Sequence, residues 1–358
     1  EELYAAVPTG VGAKSPIRLS QADLTSIMEE GARHAVELGY GSEMDVDRCE
    51  ENGAMEGADI SAVSDKARKR GIPQCGTLGS GNHFLELQVA DEILDEETAR
   101  VFGVQKGQVC VMIHCGSRGL GHQVCTDHLK VLEEAVSKYH IELPDRQLAC
   151  APLSSPEGET YFGGMAASAN YAWANRQIIT HRVREIFVKR FELAYEDMPL
   201  VYDVAHNVAK WEEHEYCGQR VRVCVHRKGA TRAFGPGRRE ILQEFRAVGQ
   251  PVIIPGSMGT PSFLLAGTAG AMEKTFGSTC HGAGRVKSRS SAKKSLTGDE
   301  VAAELLKEGI YVRAPNQAAI AEEAPDVYKS SSEVVRTVAE AGLSRIAVRL
   351  RPLGVIKG

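Results

Sequence analysis

No apolar run in this 358-residue sequence approaches the ~18 residues needed to span a bilayer, so no membrane-spanning helix is expected. No stretch reads as a signal peptide either. Cysteine occurs at nine scattered positions and never as C-x-x-C, which speaks against a zinc ribbon or a disulfide framework. Scattered thiols in a chain of this length suit a reducing compartment, so a cytoplasmic location is expected. There are no clear internal repeats and no low-complexity linker, which excludes solenoids and arrays. Phosphate-binding signatures of the common kinds are missing too. No G-x-x-x-x-G-K-[ST] occurs, and no G-x-G-x-x-G follows a strand in a βαβ unit. Positive charge is not in excess. The formal net charge is -5, so any contact with a polyanion needs a local basic face.

What is present reads as an ordinary globular chain, 43% hydrophobic and 25% charged. Ser20 followed by Asp23 opens a predicted helix, with Leu24, Ile27, Met28, Ala35 and Val36 at helical spacing and Gly39 closing it. A longer helix is predicted from about Ala166 to Phe191, with Ala174, Ile178, Val183 and Phe187 as its buried stripe. Short β-like runs cover Phe84–Val89, Val109–Ile113, Leu200–Val204, Val221–Val225, Val252–Ile254 and Ile346–Leu350. They alternate with helices without a regular βαβ period. The expected class is therefore α+β, one compact unit with a central β-sheet region flanked by helices.

Histidines mark the ends of these runs. His114 follows Val109–Ile113, His206 follows the run ending at Val204-Ala205, and His83 directly precedes Phe84. Strand ends hold sequence-distant residues on rigid neighbouring positions. Three imidazoles converging there would suit a divalent transition metal. Hydrogen-bonded histidines at strand edges are the plainer reading of each one alone. His226 also ends a β-like run and is a more distant candidate.

Glycine-rich segments form a second signal: Gly79-Ser80-Gly81-Asn82, Gly116-Ser117-Arg118-Gly119-Leu120-Gly121, Pro255-Gly256-Ser257-Met258-Gly259-Thr260 and Gly282-Ala283-Gly284-Arg285. Glycine lets backbone amides approach an anion, so the four together point to phosphate binding. His281 lies just before the last of them, among small residues and four positions from Arg285. A neutral imidazole attacks phosphorus readily, and the small neighbours leave room for a phosphate ester. A loop histidine that caps a helix or binds metal fits the same spacing. Basic residues cluster at Arg285, Lys287, Arg289, Lys293 and Lys294, and again at Arg227, Lys228, Arg232, Arg238 and Arg239. In a net acidic chain this asymmetry suggests RNA or nucleotide phosphates.

Taken in order, six motifs resemble the RtcB family of tRNA-splicing RNA ligases. They are Gly79-Ser80-Gly81-Asn82-His83-Phe84-Leu85-Glu86, His114-Cys115-Gly116-Ser117-Arg118-Gly119-Leu120-Gly121-His122, Asp203-Val204-Ala205-His206-Asn207, His226-Arg227-Lys228-Gly229-Ala230-Thr231-Arg232, Pro255-Gly256-Ser257-Met258-Gly259 and Ser278-Thr279-Cys280-His281-Gly282-Ala283-Gly284-Arg285. The resemblance runs from near Pro8 to Gly358 and implies one ligase catalytic domain over residues 1–358. It implies GTP and Mn²⁺ as cofactors, and the joining of RNA 3′-phosphate or 2′,3′-cyclic phosphate ends to 5′-hydroxyl ends. By motif, His281 would carry the guanylate, and His83, His114 and His206 would hold metal. Asn82, His83, Phe84, Leu85, Glu86, His206 and Asn207 would contribute to the nucleotide site, with Glu86 reading the guanine edge. Pro255, Gly256, Ser257, Met258, Ser262, Gly282, Ala283, Gly284 and Lys357 would complete it, with Tyr328 stacking near the base. Arg118 and Arg285 would be candidates for RNA phosphates, and an archease-type activating protein is the implied partner.

The family also carries an Asp-x-x-Cys-Gly metal motif upstream of the others, and no such motif occurs here; Cys49, in Asp47-Arg48-Cys49-Glu50, has the wrong setting. The sequence opens on Glu1-Glu2-Leu3, not Met, so a missing upstream segment is expected. Two other readings remain open on residue chemistry: a metal-dependent phosphoesterase, and an inactive RNA-binding remnant of the ligase fold.

Overall fold

The computed structural model describes residues 1–288, 290–292 and 297–358. Arg289, Lys293 and Lys294 of the predicted basic cluster lie outside them. The chain forms two compact units. The first comprises Glu1–Pro8, Gly12–Gly79 and Cys115–Pro199, and the second Thr9–Val11, Ser80–His114 and Leu200–Gly358. Helices fill the first and the main sheet lies in the second, which bears out the α+β class.

In the first unit, helices α1 (Gln21–Glu30), α2 (Ala32–Glu37), α3 (Asp65–Gly71) and α4 (Arg118–Lys138) surround α5 (Pro156–Phe191). Leu24, Ile27, Met28, Ala67, Leu120, Val124, Tyr171, Ala174 and Ile178 form the shared core. The predicted capping box is present, with the Ser20 hydroxyl accepting from Asp23 N at 3.1 Å. The helix it opens does not reach Gly39. It breaks at Gly31, whose φ is +59° and where a Cβ would stand 1.9 Å from the Gly53 carbonyl. Only glycine meets both conditions, and the chain restarts as α2.

The long helix starts ten residues before the predicted Ala166, at Pro156, capped by the Ser155 hydroxyl. Gly158, Gly163 and Gly164 hide this first part, because glycine is a poor helix former. Packing explains them: a Cβ at Gly163 would stand 2.5 Å from the Asp59 Cβ. Further along, Asn170 and Asn175 are fully buried and tie α5 to loops, Asn170 through Met55 N at 2.6 Å and Asn175 through Gly76 N at 2.7 Å. Arg184 makes a two-pronged pair with Asp45 at 2.6 and 2.7 Å, both side chains about 3% exposed. Burial by itself would raise the Asp45 carboxyl. The Arg184 hydrogen bonds and charge outweigh it and hold the pKa below the ordinary value.

The second unit is built on a six-stranded sheet. Its strands are β1 (Phe84–Ile93), β2 (Val109–His114), β6 (Pro251–Ile254), β7 (Ser262–Gly267), β9 (Tyr311–Arg313) and β10 (Ser344–Lys357). The order is β2-β1-β10-β7-β6, antiparallel throughout, with β9 added parallel to β10. Phe102, Phe245, Leu264 and Val348 form one core cluster, and Phe84, Met258, Ile310, Val327 and Val355 another. Two smaller pairings complete the unit: the hairpin β3 (Asn207–Tyr216) with β4 (Gln219–Lys228), and β5 (Ala230–Arg232) with β8 (Ser278–Cys280). Leu200–Val204, predicted as a strand, forms none. Val201, Tyr202 and Val204 instead pack on the Phe102–Phe245 cluster, with a bridge at Asp203 in place of a strand, so their β-like composition reflects burial.

Replacing Arg184 by Met should strand the buried Asp45 carboxylate and cost about 3–5 kcal/mol of unfolding free energy by urea denaturation. Adding Asp45→Asn should recover much of that loss. A double variant no more stable than Arg184→Met would refute this account.

Candidate active site

Strand pairing gathers the predicted residues at one end of the sheet. Phe84, the first residue of β1, stands opposite His114 on β2 and opposite Lys357 on β10. His83 precedes it, and its carbonyl accepts from Gly358 N at 3.3 Å. His206 does not end a strand, as predicted; it enters β3 directly. Its carbonyl accepts from Gly229 N at 3.0 Å, at the turn between β4 and β5. Gly229 has φ +69°, and a Cβ there would lie 3.7 Å from the His281 ring. His281 leaves β8, whose Cys280 pairs with Ala230 on β5. One glycine turn therefore sets His206 and His281 side by side.

Their rings stack at 4.1 Å between centroids and 27° between planes. His114 closes the group. Its centroid lies 5.2 Å from His206, 5.8 Å from His83 and 6.3 Å from His281. His114 Nε2 and His206 Nε2 are 3.0 Å apart. Burial, followed by the charges of His206 and His83, pushes the His114 pKa well below its ordinary value. Burial also lowers that of His281, against an opposing hydrogen bond with the Gly229 backbone. Both imidazoles are thus neutral near pH 7, the form that binds a metal or attacks phosphorus.

The donor chemistry fits a divalent transition ion. Two imidazole nitrogens 3.0 Å apart match neighbouring ligand positions, since bonds of ~2.1 Å at a right angle span about 3 Å. His83, His114 and His206 do not form one tight three-ligand cluster. Among the described residues, the group whose ligand atoms all lie within 4.8 Å is Glu30, His34 and Glu37, which carries two exposed carboxylates.

Beside the histidines runs a buried polar chain. Glu86, fully enclosed, accepts from Gln88 Nε2 at 2.5 Å, and the same amide reaches Ser262 Oγ at 2.8 Å. Ser262 Oγ in turn accepts from Gly256 N at 3.0 Å. Burial raises the Glu86 pKa to about 8, against the Gln88 hydrogen bond and the Lys357 charge. Lys357, itself buried, has its pKa lowered by that burial, which Glu323 and Glu86 oppose. Its ammonium lies 3.6 Å from Glu323, 3.5 Å from the Asn82 carbonyl and 5.3 Å from the Phe84 ring centre. The Tyr328 hydroxyl donates to Glu323 and accepts from Arg285 Nη1 at 3.0 Å.

Several predicted residues thus meet in one place: Asn82, His83, Phe84, Glu86, His114, His206, Gly256, Ser262, His281, Tyr328 and Lys357. Others serve differently. Leu85 alternates to the opposite face of β1 from Phe84 and Glu86. Met258 packs in the core with Phe84, and Ser257 bonds Thr260. Gly282 runs past Pro255, where a Cβ would lie 3.7 Å from its ring. Ala283 is half-buried, and the exposed Gly284 accepts from Lys329 N at 2.9 Å. Asn207 is exposed and accepts from Lys228 Nζ at 3.1 Å.

Three expectations need correction. Arg285 does not present an open guanidinium to a phosphate; Glu323, Tyr328 and the Glu322 carbonyl hold it. The segment Gly116–Gly121 is not one loop, because α4 begins at Arg118. Arg118 lies in the first unit, packed so closely on Gly79 that a Cβ there would fall 1.8 Å from its guanidinium. The basic run from Arg227 to Arg239 is not one face either, since Arg227 is buried against Glu212 and Arg232 against Gln250. Gln88 and Glu323 were not anticipated. Gln88 was within reach, lying two residues from Glu86 on the same strand face; nothing in the sequence marks Glu323.

The family model described as tRNA-splicing ligase RtcB matches residues 1–358. The chain belongs to the RtcB family. It is 62% identical over its whole length to the tRNA-splicing ligase RtcB of Archaeoglobus fulgidus, covering 75% of that protein. It is 56% identical to the Pyrococcus abyssi relative of the same name, of which it spans 39%. A Mycobacterium bovis protein named RNA-splicing ligase RtcB is 49% identical, with 82% of its length covered. Among the described residues no helix is long and apolar enough to cross a membrane.

In this RtcB family member the Glu86 carboxyl has a folded pKa of about 8, against an ordinary 4.5. A raised pKa favours the neutral form, so its contribution to stability is present below about pH 4.5 and lost as pH rises through about 8. The melting temperature should therefore fall from pH 5 to 9 more steeply in the unaltered protein than in Glu86→Gln. Parallel curves for the two proteins would refute the buried neutral acid.

Proposed function

We propose that the protein is a GTP- and Mn²⁺-dependent RNA ligase. It joins RNA 3′-phosphate or 2′,3′-cyclic phosphate ends to 5′-hydroxyl ends through a guanylyl-histidine at His281, in tRNA splicing or RNA repair. The observation that carries this reading is the neutral His281 ring stacked at 4.1 Å on His206, with His114 as the next ring and the buried Glu86–Lys357 group in the same unit. Membership of a family named for tRNA splicing supports RNA as the substrate. A cytoplasmic setting and an archease-type activating partner are further parts of the proposal.

The residues divide the work by position. His281, kept neutral by burial, offers a ring nitrogen to the α-phosphorus of GTP; a phosphorus–nitrogen bond forms and pyrophosphate departs. Glu86 faces the guanine edge, and Tyr328 and Phe84 enclose the base. Lys357, its charge balanced by Glu323, stands beside Phe84 and Asn82 and neutralises negative charge on the nucleotide. Water first opens any 2′,3′-cyclic phosphate to the 3′-phosphate, breaking the bond to O2′; a 3′-phosphate oxygen of the RNA then takes the guanylate from His281, which regains a free ring nitrogen. The 5′-hydroxyl attacks that activated phosphate, GMP leaves, and the phosphodiester is formed. His83, His114 and His206 would hold Mn²⁺, which supplies Lewis acidity toward phosphate oxygens. Positioning and charge neutralisation carry most of the rate.

The test is covalent labelling. Native protein incubated with Mn²⁺ and GTP labelled at the α-phosphate should acquire acid-labile label, and His281→Ala should abolish it. Label that survives His281→Ala, or its absence from the native protein, sinks the ligase reading. Phosphate-ester hydrolysis without GTP would favour a phosphoesterase.

A further inference from the structure

The β3–β4 hairpin has one buried and one exposed face. Lys210, Glu212 and His214 point inward, His214 packing at 5.9 Å on Phe234 and 5.3 Å on Phe276. On the other face, the register pairs Asn207 with Lys228, Ala209 with His226, Trp211 with Cys224, Glu213 with Arg222 and Glu215 with Arg220. This row starts one residue after His206 and runs to the hairpin tip at Cys217-Gly218. Lys228, His226, Arg222 and Arg220 are exposed along it. Trp211 is 45% exposed even with the Arg222 guanidinium 5.2 Å from its ring centre.

The charges are not spread evenly. The three rungs nearest His206 carry Lys228, His226 and the indole and no carboxylate, and Arg222, on the next rung opposite Glu213, sets its guanidinium over that indole. Glu213 and Glu215 are confined to the outer half, where Glu213 is taken up by Arg220. We infer that this face is a track for the single-stranded end of an RNA, with an unpaired base stacked on Trp211 and phosphates held by Lys228 and Arg222. The inference deepens the ligase reading and rests on it for the placement of the RNA end. A lone indole set among cations suits a nucleic acid strand, because bases stack on any aromatic face while cations follow the backbone. A single strand fits better than a duplex, whose bases are already stacked. At ~3.4 Å per residue, Trp211 lies roughly 14 Å along the hairpin from Asn207, which is roughly two to four nucleotides from the join.

The experiment uses the protein's own fluorescence. There are two tryptophans, and Trp173 is fully buried, so quenching by solute reports Trp211. A single-stranded oligonucleotide ending in a 3′-phosphate, added without GTP, should quench emission saturably, and a blunt duplex of the same sequence should not. Trp211→Ala should weaken binding by on the order of tenfold, with Trp211→Phe retaining most of the affinity. Arg222→Gln should lower the slope of log affinity against log salt by roughly 0.7. Labelling of His281 by GTP should be unchanged in all three variants, which also shows that they fold. The inference is overturned if RNA binds by anisotropy with emission unchanged and Trp211→Ala affinity intact, or if RNA does not bind at all. Quenching by RNA in a protein that takes no label at His281 would sink the ligase reading and leave the track standing.

Discussion

The double pairing of Phe84 fixes the site. Because β1 lies between β2 and β10, one ladder row carries His114, Phe84 and Lys357 together. A one-residue slip in either ladder would turn a strand's side chains to the opposite face. It would bury Leu85 where Glu86 now stands, or move His114 away from His206. The sheet is thus a positioning device first. Its register is secured by packing on both sides, with Phe84 and Val355 in one cluster and Val348 and Leu350 in another.

The second half of the site depends on a single turn. Gly229 joins β4 to β5 with φ +69°, donates to the His206 carbonyl and leaves only van der Waals room for His281. Sequence-distant histidines become stacked neighbours because two short pairings, β3 with β4 and β5 with β8, meet at that glycine. The same hairpin that delivers His206 carries its exposed face outward from it. A ring of the histidine group and a basic, aromatic surface are therefore built on one hairpin. Such a layout suits a substrate that is a chain and not a small molecule.

Much of this was legible in the sequence, and for identifiable reasons. Strand-end histidines announced themselves because β-like runs have a short period and end in glycine or asparagine. The capping box at Ser20 and the buried Ala174, Ile178 and Val183 of α5 followed from helical spacing, while Phe187 of the same stripe is only half-buried. What stayed hidden was set by tertiary contact. Gly31 breaks a helix because of Gly53, which is distant in sequence. Gly163 sits inside a helix because Asp59 packs against it. Arg285 reads as a phosphate ligand until Glu323 and Tyr328 are seen to hold it. Leu200–Val204 has strand composition, yet Val201, Tyr202 and Val204 spend it on the Phe102–Phe245 core, and composition does not tell the two uses apart.

The buried charges near Phe84 also make sense as a unit. Glu86, Glu323 and Lys357 would be costly to enclose singly, since an uncompensated buried charge is heavily penalised. Glu323 answers both cations, at 3.2 Å from Arg285 and 3.6 Å from Lys357. Glu86 is left with an amide donor and a more distant ammonium, so burial lifts its pKa to about 8 and it holds a proton near neutrality. Under the proposed function this has a chemical consequence. The Watson–Crick edge of guanine presents two N–H donors, which a carboxylate accepts and a carboxylic acid does not. Guanine bound there would supply two hydrogen bonds to the ionised form and lower the cost of its charge. Nucleotide entry would then be coupled to proton release from Glu86.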